Sequence, residues 1–205
     1  MAKRIFDLIF AALGLVVLLP FFVIVGILIK MDSKGPVFYR GVRTACKGTR
    51  FRIIKFRTMY AGMEKPGGDT TAFQDPRITP FGKFLRRFKL DEFPQLFNVI
   101  LGEMSLVGPR PELPAYTDQY DEEEKLILSV KPGITDFSSL ELISLDEEVG
   151  SKDPDAIFEK RILKKKNALR LKYVYERSFW VDLVLIFRTA FKLLSKFKPS
   201  RSKVD

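Results

Sequence analysis

The longest apolar stretch of the chain lies close to its N-terminus. From Leu8 to Ile29, 22 consecutive residues carry no charged side chain. As one straight helix this stretch would be about 33 Å long, just enough to cross a hydrocarbon core of about 30 Å. Length and composition alone therefore predict a transmembrane helix.

Two features of the stretch favour a second topology, in which the helix enters and leaves by the same face of the membrane. Pro20 lies inside the run, where a proline removes a backbone hydrogen bond and bends a helix. Basic residues flank both ends, with Lys3 and Arg4 before the run and Lys30 after it, and such residues tend to stay on the cytoplasmic side. By themselves the residues leave two alternatives, a spanning helix and a re-entrant helix broken at Pro20 over residues 1–30.

Short stretches of strand-forming residues follow. Pro36 to Tyr39 and Phe51 to Phe56 are predicted to pair as a small β-hairpin around a turn at Lys47-Gly48. From Met59 to Thr79 the chain contains several glycines and prolines and few apolar side chains, which predicts a long loop. Loops of this length are often lids or binding loops.

Helical spacing resumes at Thr79-Pro80, where a Thr N-cap precedes a proline at the first helical position. One face of the predicted helix is rich in Phe and the other is basic. The apolar set is Phe81, Phe84, Leu85 and Phe88, and the basic set is Lys83, Arg86 and Arg87. This pattern suits a helix at the lipid headgroup boundary, and an ordinary core-facing helix has the same spacing.

Two adjacent carboxylates, Asp91 and Glu92, come next and open another predicted helix. Pro94 suits its first turn, the apolar spacing continues to Leu101, and Gly102 is a typical stop. Asp91 is therefore predicted to be the N-cap, where free backbone N–H groups and the helix dipole would keep its carboxylate anionic. On this stretch alone, a simple capping role is the alternative to a chemical one.

Arg110 lies between Pro109 and Pro111, which confine its backbone to extended conformations. A guanidinium presented from such a stiff loop is suited to bidentate binding of phosphate. Arg110 is therefore a candidate phosphate ligand.

Two amphipathic helices are predicted near the C-terminus. The first is capped at Asp153-Pro154. The second runs from Trp180 to Leu194, with large apolar side chains on one face and basic ones on the other. That pattern is typical of a helix that lies on a membrane surface.

Composition narrows the chemistry. The chain of 205 residues is 46% hydrophobic and carries a net charge of +10 and 19 Phe, which suggests a polyanionic partner met at an apolar surface. The long apolar run argues against nucleic acid and in favour of a membrane. The chain has no His and one Cys, so His-based general bases, common zinc sites and a disulfide framework are excluded. Catalysis would have to use carboxylates, Lys, Arg, Ser, Thr or Tyr.

Short motifs occur along the chain in a characteristic order and spacing. They are Lys3-Arg4-Ile5-Phe6-Asp7, Lys55-Phe56-Arg57-Thr58-Met59, Leu85-Arg86-Arg87, Leu90-Asp91-Glu92-Phe93-Pro94-Gln95-Leu96-Phe97-Asn98-Val99, Gly102-Glu103-Met104-Ser105, Val107-Gly108-Pro109-Arg110-Pro111 and Lys131-Pro132-Gly133-Ile134-Thr135. This set resembles the bacterial sugar transferases, also called monotopic phosphoglycosyl transferases. The length of the chain resembles the minimal form of that family, which consists of the catalytic core.

The resemblance implies a reaction. A UDP-sugar would give its phosphosugar to polyprenyl phosphate, undecaprenyl phosphate in particular, and UMP would be released, as the first membrane step of glycoconjugate biosynthesis. Asp91 would attack the phosphate next to the sugar and form an aspartyl-phosphosugar intermediate, and Asp91 and Glu92 would hold Mg²⁺. The implied substrate-binding residues are Lys55, Arg57, Arg86, Arg87, Gln95 and Arg110.

The resemblance also implies an architecture, an α+β and mostly helical fold. A re-entrant membrane helix broken at Pro20 would occupy residues 1–30, and residues 31–205 would form a compact catalytic domain with a small β-hairpin and interfacial amphipathic helices. The active site would lie on the cytoplasmic face of the bacterial inner membrane. One segment, Asp136 to Glu141, departs from the usual family pattern after Thr135, and this leaves the sugar undetermined.

An alternative function is a membrane-surface adaptor, in which basic helices and Phe side chains engage anionic lipid or a partner without any chemistry. Release of UMP from a UDP-sugar would separate the two functions. The sequence also leaves open the polyprenol length, the glycan pathway and whether the chain forms a homodimer.

Overall fold

Helices make up most of the computed structural model, which describes residues 2–63, 75–141 and 162–195. The helices are α1 Ala2–Asp32, α2 Pro80–Arg87, α3 Gln95–Leu101, α4 Pro114–Thr117, α5 Phe137–Glu141, α6 Lys164–Glu176 and α7 Phe179–Ser195. The strands are β1 Phe38–Thr44, β2 Arg50–Phe56, β3 Ser105–Val107 and β4 Gly133–Thr135, and short 3₁₀ turns lie at Cys46–Gly48, Leu90–Glu92 and Glu124–Ser129. The mostly helical class with a small hairpin is confirmed.

Helix α1 contains the apolar run and packs against the rest of the molecule along its length. Pro20 lies inside the helix, which continues on both sides of it. The buried residues of α1 recur at helical spacing and form one face: Asp7, Ala11, Phe22, Val25 and Ile29. The opposite face is apolar and exposed, as at Val16 and Val17. The helix is long and apolar enough to cross a membrane, and the re-entrant topology stays a prediction.

Polar side chains tie the N-terminal end of α1 to the domain. Lys3 Nζ donates a hydrogen bond to the carbonyl of Val107 at 3.1 Å and forms an ion pair with Asp182. The buried Asp7 carboxylate accepts a hydrogen bond from the Ser105 hydroxyl at 2.7 Å. These bonds attach α1 to β3 and α7.

Arg57 ties the C-terminal end of α1 to the domain. Its Nη2 donates to the carbonyl of Ser33 at 2.7 Å, and its Nη1 donates to the carbonyl of Lys34. A helix end leaves its last carbonyl groups without intrahelical partners, so a guanidinium is a suitable cap. Arg57 is 6% exposed, which means that this cap is part of the interior.

The predicted β-hairpin is present. Strands β1 and β2 pair antiparallel from Phe38 opposite Phe56 to Thr44 opposite Arg50. The first strand extends beyond the predicted end at Tyr39, because its residues up to Thr44 find backbone partners in β2. After the hairpin, Met59 forms an isolated bridge with Ile78 at the two ends of the predicted loop, and residues 64–74 lie outside the described residues.

The hydrophobic cluster nearest the hairpin joins α1 to the elements that carry the polar motifs. Phe22, Val25 and Ile29 of α1 pack with Phe56 of β2 and Leu85 of α2. Leu85 is completely buried. The opposite face of α1 takes no part in this cluster and is exposed.

The predicted start of α2 and the predicted end of α3 are confirmed. The Thr79 side chain accepts a hydrogen bond from the Gly82 amide at 3.0 Å and so caps α2, and α3 ends at Gly102, whose φ of 86° favours glycine. Gly82 packs directly on the backbone of Thr58, and a Cβ there would clash with the Thr58 carbonyl. Helix α2 can therefore lie close to the end of the hairpin.

Strands β3 and β4 bring two of the sequence motifs side by side. They pair in parallel, with Ser105 opposite Gly133 and Val107 opposite Thr135. Gly108 and Gly133 approach so closely that a Cβ on Gly133 would clash with the Gly108 backbone. As a result, the loop that carries Arg110 lies beside the start of the segment that follows β4.

The C-terminal helices close the molecule. The predicted cap at Asp153 lies outside the described residues, and the described part of this region begins just before α6. Helix α7 buries Asp182 and Leu185 and exposes large apolar side chains on its other side. The exposed set is Trp180, Val184, Phe187, Phe191 and Leu194. The predicted helix is confirmed, and its membrane contact stays a prediction.

Candidate active site

A tight turn between α2 and α3 carries the two adjacent carboxylates. Lys89 has a φ of 56°, a left-handed conformation that is uncommon for residues other than glycine. A 3₁₀ turn follows over Leu90–Glu92, and α3 begins only at Gln95, after Pro94. The predicted N-cap role of Asp91 is therefore wrong, because Pro94 occupies that position and α3 has no side-chain cap.

Glu92 is bound by two cations. Arg110 donates from Nη1 to Oε2 at 2.8 Å and from Nη2 to Oε1, which is a bidentate pair. Lys55 Nζ lies 3.5 Å from Oε1. Burial by itself would raise the pKa of Glu92, but Arg110 and Lys55 outweigh it and hold that pKa well below its usual range. Glu92 is therefore a fixed anion.

Asp91 is in a different electrostatic environment from its neighbour. It is 7% exposed, and its Oδ1 atom is buried with no hydrogen-bond partner among the described residues. Burial and the charge of Glu92 raise the pKa of Asp91, and the nearby cations Lys55 and Arg86 oppose that shift only in part. The prediction that a helix N-terminus stabilises the Asp91 carboxylate is wrong. Asp91 is instead a largely buried carboxylate, partly removed from water.

Gln95 is a second buried group without a protein partner. It is completely buried, and neither its amide nitrogen nor its amide oxygen has a hydrogen-bond partner among the described residues. Native proteins pair the great majority of buried polar groups with protein or ordered water. Asp91 and Gln95, four residues apart, therefore leave buried polar atoms at this turn that a ligand or ordered water can pair with.

Lys55 completes the cluster from the end of β2. Burial lowers the pKa of Lys55, although Glu92 partly restores it. The structure thus brings together Lys55, Asp91, Glu92 and Arg110 from three separate motifs, and Gln95 lies at the start of the adjoining helix.

The other predicted site residues have different surroundings. Arg86 Nε donates to the Thr58 hydroxyl at 2.8 Å, so it lies between α2 and the end of the hairpin. The guanidinium of Arg87 lies 5.7 Å from the centre of the Phe88 ring. The terminal nitrogens of Arg57 bind the end of α1, and its substrate role stays a prediction without support from these contacts.

Two further buried residues, for which the sequence predicts no role, support the site. Asn98 is completely buried, accepts a hydrogen bond from the Ile54 amide at 2.9 Å and donates to the Arg52 carbonyl at 2.9 Å, so it fastens α3 to β2. Asp136 is also completely buried and accepts a hydrogen bond from the Arg110 amide at 3.2 Å. In the sequence, Asn98 belongs to the motif that runs from Leu90 to Val99. Asp136 is marked only by being the first residue of the segment that departs from the family pattern.

The donor set fits a magnesium ion that is shared with a substrate. Among the described residues, no three acidic, His or Cys side chains are placed so that they could hold a metal ion together, but protein-bound Mg²⁺ usually takes only one or two carboxylates plus substrate phosphates. Asp91 offers an unpaired oxygen. A carboxylate has about four lone-pair directions, so Glu92 can bind Arg110 and Lys55 and still offer one to a metal.

Comparisons with known proteins agree with the motifs. The family model for bacterial sugar transferases matches residues 1–196. A putative undecaprenyl-phosphate N-acetylgalactosaminyl 1-phosphate transferase of Bacillus subtilis is 43% identical over 121 residues, which cover 59% of this chain and 68% of the relative. A UDP-glucose:undecaprenyl-phosphate glucose-1-phosphate transferase of Escherichia coli is 38% identical over 93% of this chain.

The relatives differ in how much of their length this chain matches. The match covers 39% of the Escherichia coli protein. It covers 70% of a UDP-glucose:undecaprenyl-phosphate glucose-1-phosphate transferase of Caulobacter vibrioides, which is 33% identical over 94% of this chain. The matched region includes more than half of this chain for each of these three relatives. Because the family model also spans nearly the whole chain, the chain belongs to the bacterial sugar transferase family.

Proposed function

We propose that this chain transfers a phosphosugar from a UDP-sugar to undecaprenyl phosphate and releases UMP, as the first membrane step in the synthesis of a glycoconjugate. The relatives carry names for this chemistry. The observation that carries the proposal is the buried Asp91 carboxylate, which has an unpaired oxygen and adjoins a Glu92 fixed by Arg110.

Asp91 is the proposed nucleophile. One carboxylate oxygen attacks the phosphorus next to the sugar, an O–P bond forms, and the bond from that phosphorus to the oxygen of UMP breaks, so that its electron pair leaves with UMP. An oxygen of undecaprenyl phosphate then attacks the same phosphorus, breaks the aspartyl phosphate bond and restores the carboxylate. An ionised carboxylate needs no general base, which is in keeping with a chain that has no His.

The surrounding cations would bind the diphosphate. Arg110 uses two of its N–H groups on Glu92, and a guanidinium has five, so three remain for phosphate oxygens. Lys55 lies beside Glu92, the charges of Lys55 and Arg86 both act on Asp91, and Gln95 offers unpaired amide atoms. A Mg²⁺ ion held by Asp91 and Glu92 would neutralise negative charge on the leaving UMP.

We further propose that α1 is re-entrant and that the site faces the cytoplasm. Both ends of α1 are attached to the same domain, Lys3 through Asp182 and Val107 and the other end through Arg57. A helix that crossed the bilayer alone would carry its two ends to opposite sides. Packing along the whole of one face, with the opposite face apolar and exposed, supports a helix that enters the membrane beside its domain.

A screen of UDP-sugars tests the reaction. The full-length protein is incubated in lipid nanodiscs with undecaprenyl phosphate, Mg²⁺ and, in turn, UDP-glucose, UDP-galactose, UDP-N-acetylglucosamine or UDP-N-acetylgalactosamine, and UMP is measured. We expect UMP release with at least one sugar, dependent on the lipid phosphate and stopped by EDTA. Absence of UMP with every sugar would contradict the proposal and favour the adaptor function. Unchanged release in EDTA would contradict the metal role alone.

Thiol labelling tests the topology. A Cys placed at residue 2 and the native, half-buried Cys46 should both be protected from a membrane-impermeant thiol reagent applied to intact cells, and both should react after the cells are opened. Replacing Pro20 with Leu restores a backbone donor and removes the ring clash. We expect this change to expose residue 2 to the outside in part of the population.

The matched control for the proline is Leu19→Ala, which leaves the backbone donors unchanged. Labelling of residue 2 from outside in the protein that keeps Pro20 would contradict the re-entrant topology and indicate a spanning helix. That result would leave the proposed reaction standing.

A further inference from the structure

The Asp136 carboxylate is buried at a junction between two segments. It follows β4 directly and is completely inaccessible to solvent. Its Oδ1 accepts hydrogen bonds from the Ser139 amide and hydroxyl, both at 2.7 Å, and from the Ser138 hydroxyl at 2.8 Å. Its Oδ2 accepts from the Ser138 hydroxyl at 2.9 Å and from the Arg110 amide at 3.2 Å. Oδ1 therefore serves only the start of α5, whereas Oδ2 contacts both that helix and the Arg110 loop.

The backbone N–H of Arg110 has no neighbouring donor on either side. Pro109 and Pro111 lack backbone N–H groups, so the Arg110 N–H is the only amide donor across these three residues. The loop has one further anchor there, because the Pro109 carbonyl accepts a hydrogen bond from the Gly133 amide at 3.0 Å. Together the two bonds fix the direction in which the Arg110 side chain leaves the backbone.

That direction matters because the guanidinium holds Glu92. The bidentate pair needs both guanidinium nitrogens and both carboxylate oxygens in one plane. A small rotation of the Arg110 backbone, magnified along the side chain, would break one of the two bonds. A helix cap for α5 would require only Oδ1 of Asp136, so the bond from Oδ2 to the Arg110 amide calls for a separate explanation.

We propose that Asp136 is a positioning residue for the transfer reaction. By accepting the hydrogen bond of the Arg110 amide it holds the guanidinium that fixes Glu92 beside Asp91, and so it links the divergent segment after β4 to the active site. This inference rests on the proposed function for its kinetic consequence. Its structural consequence, the protection of one amide, is independent of any activity.

Hydrogen exchange at the Arg110 amide tests the structural part. Because the two flanking prolines contribute no amide hydrogen, the difference between nested peptides around residues 109–111 reports Arg110 alone. In the full-length protein, Asp136→Ala should speed exchange of this amide by about tenfold or more and leave the amides of β1 and β2 unchanged. Ser139→Ala removes a neighbouring partner of Asp136 without touching Arg110, and it should leave the Arg110 amide protected. Unchanged exchange in Asp136→Ala would overturn the proposal.

If Asp136→Ala does not fold, Asp136→Asn replaces it. An amide has a single acceptor oxygen, which would face the three donors at α5 and turn the NH₂ group towards the Arg110 amide. Although the Asn side chain has the same shape as Asp136, the Arg110 amide is then expected to exchange faster, as in Asp136→Ala. An Arg110 amide that remains protected in Asp136→Asn would count against the proposal in the same way.

A double-mutant cycle tests the kinetic part, with the UDP-sugar that gives UMP release. Asp136→Ala should lower kcat/KM by about tenfold or more in the wild-type background, and by less than about threefold when Arg110 is already Lys, because both changes disturb one interaction. Equal losses in the two backgrounds would show that Asp136 does not act through Arg110. If no UDP-sugar is turned over, the proposed function fails, and the exchange experiment still decides whether Asp136 positions Arg110.

Discussion

Asp91→Asn is expected to lower kcat/KM by at least roughly a thousandfold, the scale of loss when a nucleophile is removed. The amide has almost the same shape as the carboxylate but cannot form the proposed aspartyl phosphate. Wild-type protein incubated with the productive UDP-sugar and no lipid phosphate should gain the mass of one phosphosugar, as measured by intact-protein mass spectrometry. The Asn variant should gain none.

The same variant should not be less stable. Folding raises the pKa of Asp91 through burial and the charge of Glu92. The free energy of unfolding therefore falls as the pH rises from the unfolded-state pKa of this carboxyl through its raised folded-state pKa, and the loss is complete above the latter. A neutral amide avoids this cost, and we expect a thermal midpoint at neutral pH no lower than that of the wild type. Inactivity can then be separated from misfolding.

Asp118→Asn is the matched control, because Asp118 is exposed and pairs with Arg50 away from the site. It should retain wild-type kcat/KM. Turnover near the wild-type rate in Asp91→Asn would remove Asp91 from the chemistry, and a mass adduct in that variant would place the covalent bond on another residue.

Arg110→Lys is expected to lower kcat/KM by about tenfold to a hundredfold, as judged from the loss of comparable electrostatic contacts. Lys keeps the positive charge but has no planar fork, so it cannot bind both oxygens of Glu92 as Arg110 does. It also leaves fewer N–H groups for the diphosphate. Steady-state kinetics with the productive UDP-sugar measures the loss.

Arg52→Lys serves as the control for the same substitution at an exposed position of β2, and we expect a change of less than about twofold there. A near-normal Arg110→Lys enzyme would mean that the charge alone is sufficient. In that case the bidentate pair with Glu92 would have no part in the reaction.

Local patterns were sufficient for most of the secondary structure. The apolar run predicts α1, the Thr79-Pro80 pair predicts the start of α2, and Gly102 predicts the end of α3; the structure has each of these elements. The reason is that capping, helix termination and hydrophobic periodicity depend on residues a few positions apart. The hairpin was found for the same reason, although its first strand is longer because pairing with β2 extends it.

The motifs also indicated where the site would be but not how its members are arranged. Lys55, Glu92 and Arg110 are far apart along the chain, and only the packing of β2, the turn before α3 and the Pro-flanked loop brings them into one cluster. The family resemblance implies that Arg57 binds substrate, whereas in the structure its guanidinium caps α1. Residues two apart in a strand point to the same side, but β2 ends at Phe56, so Arg57 lies beyond the strand and need not share the partners of Lys55.

The sequence alone predicts the chemical groups, the family and most of the helices and strands, because these follow from residue types and short spacings. The state of those groups depends on the tertiary structure. Asp91 looked like a helix cap stabilised as an anion, and its position inside a 3₁₀ turn makes it a buried carboxylate with an unpaired oxygen and a raised pKa. Burial and partner choice set the energy of a charge, and both depend on residues that are distant in the chain.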